Sequence, residues 1–201
     1  MGIPHPEVAL ILRNSQAIDF SYLVQPGDFF SVYPHLYNLK LPTAKSLLPK
    51  YPAKPKFILD VHLGKLARYL RRFGFDTAYR NDYQDQEIVE QAVRDKRIIL
   101  SRDLGLLMRK KVKWAKFIWH DDPQVQLKEV FLRFNLDQYY PGQESRCVNC
   151  NSKLIEIKKE EIIERLEPKT KKYFEKFKYC QQCDKIYWKG SHFEETEELL
   201  D

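Results

Sequence analysis

Between residues 57 and 140 the chain alternates short apolar runs with amphipathic stretches, and that alternation limits the folds open to it more than any other feature. Phe57-Ile58-Leu59 is a compact apolar run. Leu63, Leu66, Ala67, Leu70 and Phe73 follow at spacings of three and four, the period of a helix with one buried face, and Gly74 ends it. Phe75 to Tyr79 reads as a second strand, and Ile88, Val89, Ala92 and Val93 as a second helix. Ile98-Ile99-Leu100 reads as a third strand, with a short helix on Leu104, Leu107 and Met108. Phe117-Ile118-Trp119 is expected to be a fourth strand, and Val125, Leu127, Val130, Phe131 and Phe134 mark a last helix. Strands that alternate with helices must be joined by crossovers, so an α/β fold is expected here: a parallel sheet flanked by helices.

The flanking zones differ in kind. Residues 1–37 hold three apolar or aromatic runs, around Val8–Leu12, Ala17–Tyr22 and Phe29–Tyr33. Arg13-Asn14-Ser15-Gln16 is a turn signal. Gln25-Pro26-Gly27-Asp28 fits a tight turn, with Pro at its second position and Gly where φ must be positive. Three strands without a helix are expected, too little to bury a core alone. Residues 38–56 carry Pro42, Pro49, Pro52 and Pro55 among lysines and read as an extended linker. Residues 141–193 hold the cysteines, and residues 194–201 form an acidic tail.

The chain's four cysteines make two pairs, Cys147-Val148-Asn149-Cys150 and Cys180-Gln181-Gln182-Cys183. A Cys-x-x-Cys turn aims two thiolates at one ion, and two such turns complete a tetrahedral shell around Zn²⁺. A closed Cys₄ shell leaves no open position, so this zinc is expected to be structural. A module this small needs it to fold. The stretch between the pairs is longer than a common ribbon loop and must fold out, with Glu160–Phe177 partly helical. Tyr173, Phe174, Phe177, Tyr179, Tyr187, Trp188 and Phe193 either stack on bases or pack around the knuckles.

Three strands of the α/β zone run into acids. Asp60 follows the first, Ser101-Arg102-Asp103 the third and His120-Asp121-Asp122 the fourth, and Asp85 opens the Ile88 helix. Parallel sheets bind ligands beyond the C-terminal ends of their strands, so these carboxylates are expected to meet at one edge. Clustered carboxylates repel one another, and a hard cation such as Mg²⁺ or Mn²⁺ relieves that while engaging substrate phosphates. The chemistry that follows is metal-assisted phosphodiester hydrolysis. Each acid has a second reading, as a helix cap, and Asp121-Asp122-Pro123 is a helix-start signal in its own right.

The net charge is +6 and the pI about 9.0, which suits a polyanionic partner. Lys65, Arg68 and Arg72 recur along the first helix beside Arg71, spaced to track a phosphate backbone or simply to face water. Arg109, Lys110, Lys111 and Lys113 form a second basic run with the same two readings. With 43% apolar residues and seven glycines, the chain is neither disordered nor collagen-like. No apolar run reaches the length of a membrane span and the N-terminus lacks a signal-peptide pattern, so a soluble, cytoplasmic protein is expected.

These residues together resemble one family. Phe57-Ile58-Leu59-Asp60, Leu63-Gly64-Lys65-Leu66-Ala67-Arg68-Tyr69-Leu70-Arg71, Gly74-Phe75-Asp76-Thr77 and Ser101-Arg102-Asp103 are similar to the PIN-like Mut-seven-C ribonuclease family. The two cysteine pairs followed by Tyr187-Trp188-Lys189-Gly190-Ser191-His192 resemble its C-terminal Cys₄ zinc ribbon. Gly2-Ile3-Pro4-His5-Pro6-Glu7-Val8 and Gly27-Asp28 through Val32-Tyr33-Pro34 resemble the ubiquitin-like β-grasp domain that precedes the nuclease. A complete β-grasp begins with a hairpin and a helix and this sequence starts after them, so a partial β-grasp is expected. The resemblance implies a PIN-like nuclease domain at 57–140, a zinc ribbon at 141–193 and single-stranded RNA as substrate. It implies Asp60, Asp85 and Asp103 as Mg²⁺ or Mn²⁺ ligands and catalytic acids, Asp121 or Asp122 as a fourth, and Asp82 as a competitor of Asp85. Ser101 would hydrogen-bond a carboxylate or a phosphate. Lys65, Arg68 and Arg72 would hold RNA, and a homodimer is left open. Two further readings stand beside this one: an RNA- or ribosome-binding module with a degenerate acid site, and an adaptor that docks through the first zone.

Overall fold

The computed structural model describes residues 2–34, 46–139 and 145–188. In chain order its strands are β1 (Val8–Arg13), β2 (Gln16–Ile18), β3 (Phe30–Pro34), β4 (Phe57–Leu59), β5 (Thr77–Ala78), β6 (Ile98–Ser101), β7 (Ala115–Phe117), β8 (Ile155–Ile157), β9 (Phe177–Cys180) and β10 (Lys185–Trp188). Its α-helices are α1 (Gly64–Arg72), α2 (Asp85–Asp95), α3 (Leu104–Leu107), α4 (Pro123–Phe134), α5 (Lys159–Ile162) and α6 (Pro168–Tyr173). The chain falls into two compact units. One runs to Leu63 and adds Tyr79–Trp119; the other joins Gly64–Ala78 to the chain from His120 onward. The acidic tail, Phe193 and Lys189–His192 lie outside the described residues, as does the linker up to residue 45.

In the first unit β1 is the middle strand of an antiparallel sheet ordered β2-β1-β3. Asn14 (φ 46°) and Ser15 (φ 67°) turn β1 into β2, both in the left-handed region that a two-residue hairpin loop demands. Gly27 sits at φ 86° where the Asp28 amide donates to Gln25 O at 3.2 Å, which is the tight turn expected there. The expected second strand is shorter than its run, because Ser21 reaches back through its amide and hydroxyl to Asp19 Oδ1 and bends the chain away. Part of the expected linker is pinned down. Leu47 N donates to Ala9 O at 2.9 Å, and Trp114 Nε1 to Lys50 O at 2.8 Å.

The same unit holds parallel pairing of β4 with β6 and of β6 with β7. Phe57, Ile58, Leu59, Ile98, Ile99 and Leu100 are fully buried, as continuous apolar strands of a parallel sheet should be. Helix α2 packs on β4 and β6, and α3 on β6 and β7. The last strand lies two residues earlier than its apolar run. β7 spans Ala115–Phe117, while Trp119 is 65% exposed. Lys116 hid the true start. It is buried at 5% exposure within the strand because Glu7 pairs with it at 3.3 Å.

In the second unit α1 packs on α4, Leu66, Leu70, Leu127 and Val130 on these helices are fully buried, and Phe73 and Phe75 stand edge-on to Phe131 at 5.1 and 5.7 Å. Gly74 (φ 84°) ends α1, and Phe75 N returns to Leu70 O at 3.0 Å. A small antiparallel sheet ordered β10-β9-β8 follows. The insert between the cysteine pairs folds out as α5, a 3-10 turn and α6, and Ile162, Leu166 and Phe177 close a separate apolar cluster beneath it. Among the described residues no helix is long and apolar enough to cross a membrane.

Candidate active site and metal centre

Each cysteine pair sits in a hairpin turn. Cys147 O accepts the Asn151 amide at 2.9 Å, and the Cys147 amide donates to Ser152 O at 2.8 Å. Asn151 takes φ 69° to allow this. Cys180 ends β9 opposite Lys185, and Asp184 (φ 52°) closes the second turn, held by Arg165 at 2.9 Å and by the Tyr179 hydroxyl at 2.6 Å. The four sulfur atoms all lie within 4.8 Å of one another. Cys147 and Cys180 are buried, and Cys150 and Cys183 partly so.

The donor set fits zinc. Burial pushes the Cys150 thiol up, but Ser152 and the neighbouring cysteines outweigh it and bring the group down to about 6. Hydrogen bonding to Cys150, together with burial, drives Cys183 up to about 12, and burial raises Cys180. Once one thiolate forms beside these sulfurs the next is opposed, and a divalent cation removes that opposition. Tyr187 Oη lies 3.1 Å from Cys147 Sγ and Ser152 Oγ 3.3 Å from Cys150 Sγ, polar neighbours that steady the ligands. Of the aromatic set, Tyr187 therefore serves the knuckle. Phe174 and Phe177 meet Trp188 at ring distances of 6.3 and 6.4 Å.

The first knuckle is tied to α1 by a buried charge. Arg71 is 3% exposed. Its Nε donates to Thr77 O at 2.9 Å, and one terminal nitrogen donates to Val148 O at 2.7 Å and Asn149 O at 3.0 Å. Asn151 adds a second tie. Its Oδ1 accepts from Thr77 N at 2.9 Å and its amide donates to Asp76 at 2.8 Å. Arg71 thus stands apart from its basic neighbours. Lys65 and Arg68 are exposed and Arg72 half-buried.

The acids divide. Asp60, at the C-terminal end of β4, is buried to 6% exposure, and its Oδ2 accepts the Ser101 hydroxyl at 2.7 Å. Ser101 closes β6 and its Oγ also accepts the Asp103 amide at 2.8 Å, so Asp60, Ser101 and Asp103 form one hydrogen-bonded string across two adjacent strand ends. Asp103 is exposed and also caps α3, taking the amides of Gly105 at 2.7 Å and Leu106 at 3.3 Å on Oδ1. Asp85 is half-exposed in the first turn of α2, where Arg109 holds its Oδ2 at 2.9 Å. Asp82 is exposed and gripped by both arms of Arg80 at 2.9 Å. In the second unit Asp122 caps α4 through Gln124 N and Val125 N, and Asp121 is exposed beside it.

Among the described residues, the four cysteines are the group of three or more Cys, His, Asp or Glu side chains that can share an ion; Asp60, Asp85 and Asp103 do not form another. The expected convergence of acids thus reduces to Asp60 and Asp103 joined through Ser101, with Asp85 engaged by a cation instead. Arg109, read from the sequence as part of a basic run, is the residue that makes this difference. The basic run gave no signal that one member pairs with an acid 24 residues earlier.

Comparison with known proteins adds two findings. A family model described as the Mut7-C RNAse domain matches residues 55–200, and one described as Mut7-C ubiquitin matches residues 1–40. No curated protein and no solved structure matches the chain.

Proposed function

The chain belongs to the Mut7-C RNAse family, with a Mut7-C ubiquitin-like segment at its N-terminus, and from that membership we propose that it is a metal-dependent, PIN-like endoribonuclease acting on single-stranded RNA in the cytoplasm. The observation that carries the reading is the buried Asp60 carboxylate at the end of β4, oriented by the Ser101 hydroxyl and linked through it to Asp103. Two carboxylates are enough for Mg²⁺ or Mn²⁺, which keep waters and complete their shells with substrate phosphates. Asp60 offers Oδ1, which takes no hydrogen bond among the described residues, and Asp103 offers Oδ2, which its capping role leaves aside. The bound cation supplies an activated water and charge stabilisation at the scissile phosphate. Ser101 fixes the Asp60 carboxylate. Asp85 and Arg109 form a paired acid and base that orders the start of α2, and Asp85 joins the ligands only by leaving Arg109. Lys65, Arg68 and Arg72 contact backbone phosphates, and the Cys₄ zinc holds the ribbon.

Asp60→Asn keeps the size and the Ser101 contact but removes the negative charge. Its RNA cleavage in Mn²⁺ is expected to fall at least about 100-fold, with RNA affinity and Tm near wild type. Cleavage at the wild-type rate by the purified variant overturns the reading.

The Arg109–Asp85 pair and the Asp103 cap favour a second reading, an RNA- or ribosome-binding module whose acids serve only the fold. Calorimetric titration with Mn²⁺ separates the two. Binding that disappears in Asp60→Asn supports the nuclease, and its absence in the wild type supports the binding module.

A further inference from the structure

The parallel sheet of the first unit has two chemically opposite edges. Asp60, Ser101 and Asp103 stand at the C-terminal ends of β4 and β6. The N-terminal ends are basic. Lys54 and Lys56 precede β4, Lys96 and Arg97 precede β6, and Lys111 and Lys113 precede β7. Parallel pairing puts these three entry points side by side, with Ile98 N bonded to Lys56 O at 2.8 Å and Ile99 N to Trp114 O at 3.0 Å. Adjacent strands lie about 4.8 Å apart, so the lysines form a short row along the edge.

The row is not spent on internal ion pairs. Lys96, Lys110, Lys111 and Lys113 are exposed and make no salt bridge among the described residues. The nearby acids are committed elsewhere: Asp95 pairs with Arg94 at 3.1 Å and Arg97 at 3.5 Å, and Glu7 with Lys116 at 3.3 Å. A groove of about 280 Å³ lies beside the row, lined by Val93, Ile99 and Trp114 together with Lys96, Lys111 and Lys113. A second hollow, bounded by His5 and Phe20, continues it past Lys110 and Lys111. Cations near helix C-termini are favoured by the helix dipole, which accounts for Lys96 after α2 and Lys110 after α3. It does not account for Lys54, Lys56 or Lys113, which follow no helix end.

We infer that this entry edge is a second binding surface for an RNA strand, gripping backbone phosphates through Lys56, Lys96, Lys111 and Lys113, separate from the acidic edge. Point-charge lysines interleaved with apolar side chains suit a sugar–phosphate backbone read without regard to sequence. The surface stands without the nuclease reading, since it needs affinity and not cleavage.

The test measures binding of a labelled 20-nucleotide single strand across a salt series, in the Asp60→Asn background so that the RNA survives. Lys96→Ala, Lys111→Ala and Lys113→Ala are combined and compared with Lys169→Ala, Lys172→Ala and Lys176→Ala combined, which removes the same charge from another surface. The edge variant is expected to lose about 10-fold in affinity at 0.1 M salt and about 2 from the salt slope, while the control variant stays within about twofold. Equal effects in both variants, or an unchanged slope, overturn the inference. So does retained RNA affinity with lost capture of a poly-glutamate peptide, which assigns the edge to an acidic protein. A fall in slope together with no cleavage by the wild type leaves the inference standing and removes the nuclease reading.

Discussion

The cysteine centre and the acidic edge each draw on residues of one chemical type, yet they are assembled in different ways. At the centre each pair is fixed by a four-residue turn, so spacing alone dictates that two sulfurs point the same way. At the edge every acid arrives on a different element, and each first meets whatever polar group that element offers. Asp103 is taken by the amides of α3, and Asp85 by Arg109. Asp60 meets a side-chain hydroxyl at a neighbouring strand end. Local geometry gathers side chains reliably. Topology only brings them near, and competing hydrogen bonds decide the rest.

The largest effect that can break this contrast is metal removal. Folding of a small Cys₄ module is coupled to zinc binding worth on the order of 10 kcal/mol. Chelation or Cys147→Ser is expected to abolish amide protection across residues 145–188 in hydrogen exchange. Since Arg71 and Asn151 join the first knuckle to α1 and the loop after it, protection in α1 should fall as well. Full protection of α1 in the zinc-free protein would mean that the knuckle is an independent appendage.

A middle-sized effect concerns that tie. Arg71→Met leaves the carbonyls of Thr77, Val148 and Asn149 without their donor. Unpaired buried acceptors of this kind cost about 3 kcal/mol in all, and Tm should drop by roughly 5–10 °C. An unchanged Tm would show that water replaces the guanidinium.

The smallest effect lies in the N-terminal sheet and sharpens the contrast, because Asp28 is a carboxylate fixed locally. The Gln25 amide at 2.7 Å, Arg13 at 2.6 Å and the Tyr22 hydroxyl at 3.0 Å hold it below the ordinary carboxylate range. A folded pKa below the unfolded value means stability that is present above the unfolded pKa, about 3.9, and lost as pH falls through the folded one. Residues 8–34 should therefore exchange amide hydrogens faster relative to Asp28→Asn at pH 3 than at pH 6. No pH dependence of that difference would assign Asp28 a role without charge.

The same division governs what could be read from the residues. Apolar periodicity located α1, α2 and α4 and the strands β4 and β6, since each buries one continuous face or run. It misplaced β7, where the charged Lys116 interrupts the pattern and its distant partner Glu7 helps make burial tolerable. Cysteine spacing was sufficient for the sulfur cluster. Arg71 was indistinguishable from Arg68 or Arg72 by position in the basic helix, because its acceptors lie up to 78 residues away in the first knuckle. The Asp60–Ser101 bond was legible in outline, as two polar residues closing adjacent strands. The Asp85–Arg109 pair left no trace, because neither residue's neighbours in sequence mark it.

The acidic edge is tested most directly by placing a paramagnetic ion there. Zinc-loaded protein labelled with ¹⁵N and titrated with Mn²⁺ should lose amide signals first around Asp60 and across Ser101–Asp103, with the signals of the cysteine turns intact. Broadening that begins elsewhere, or that is the same in Asp60→Asn, would contradict a cation site at the ends of β4 and β6.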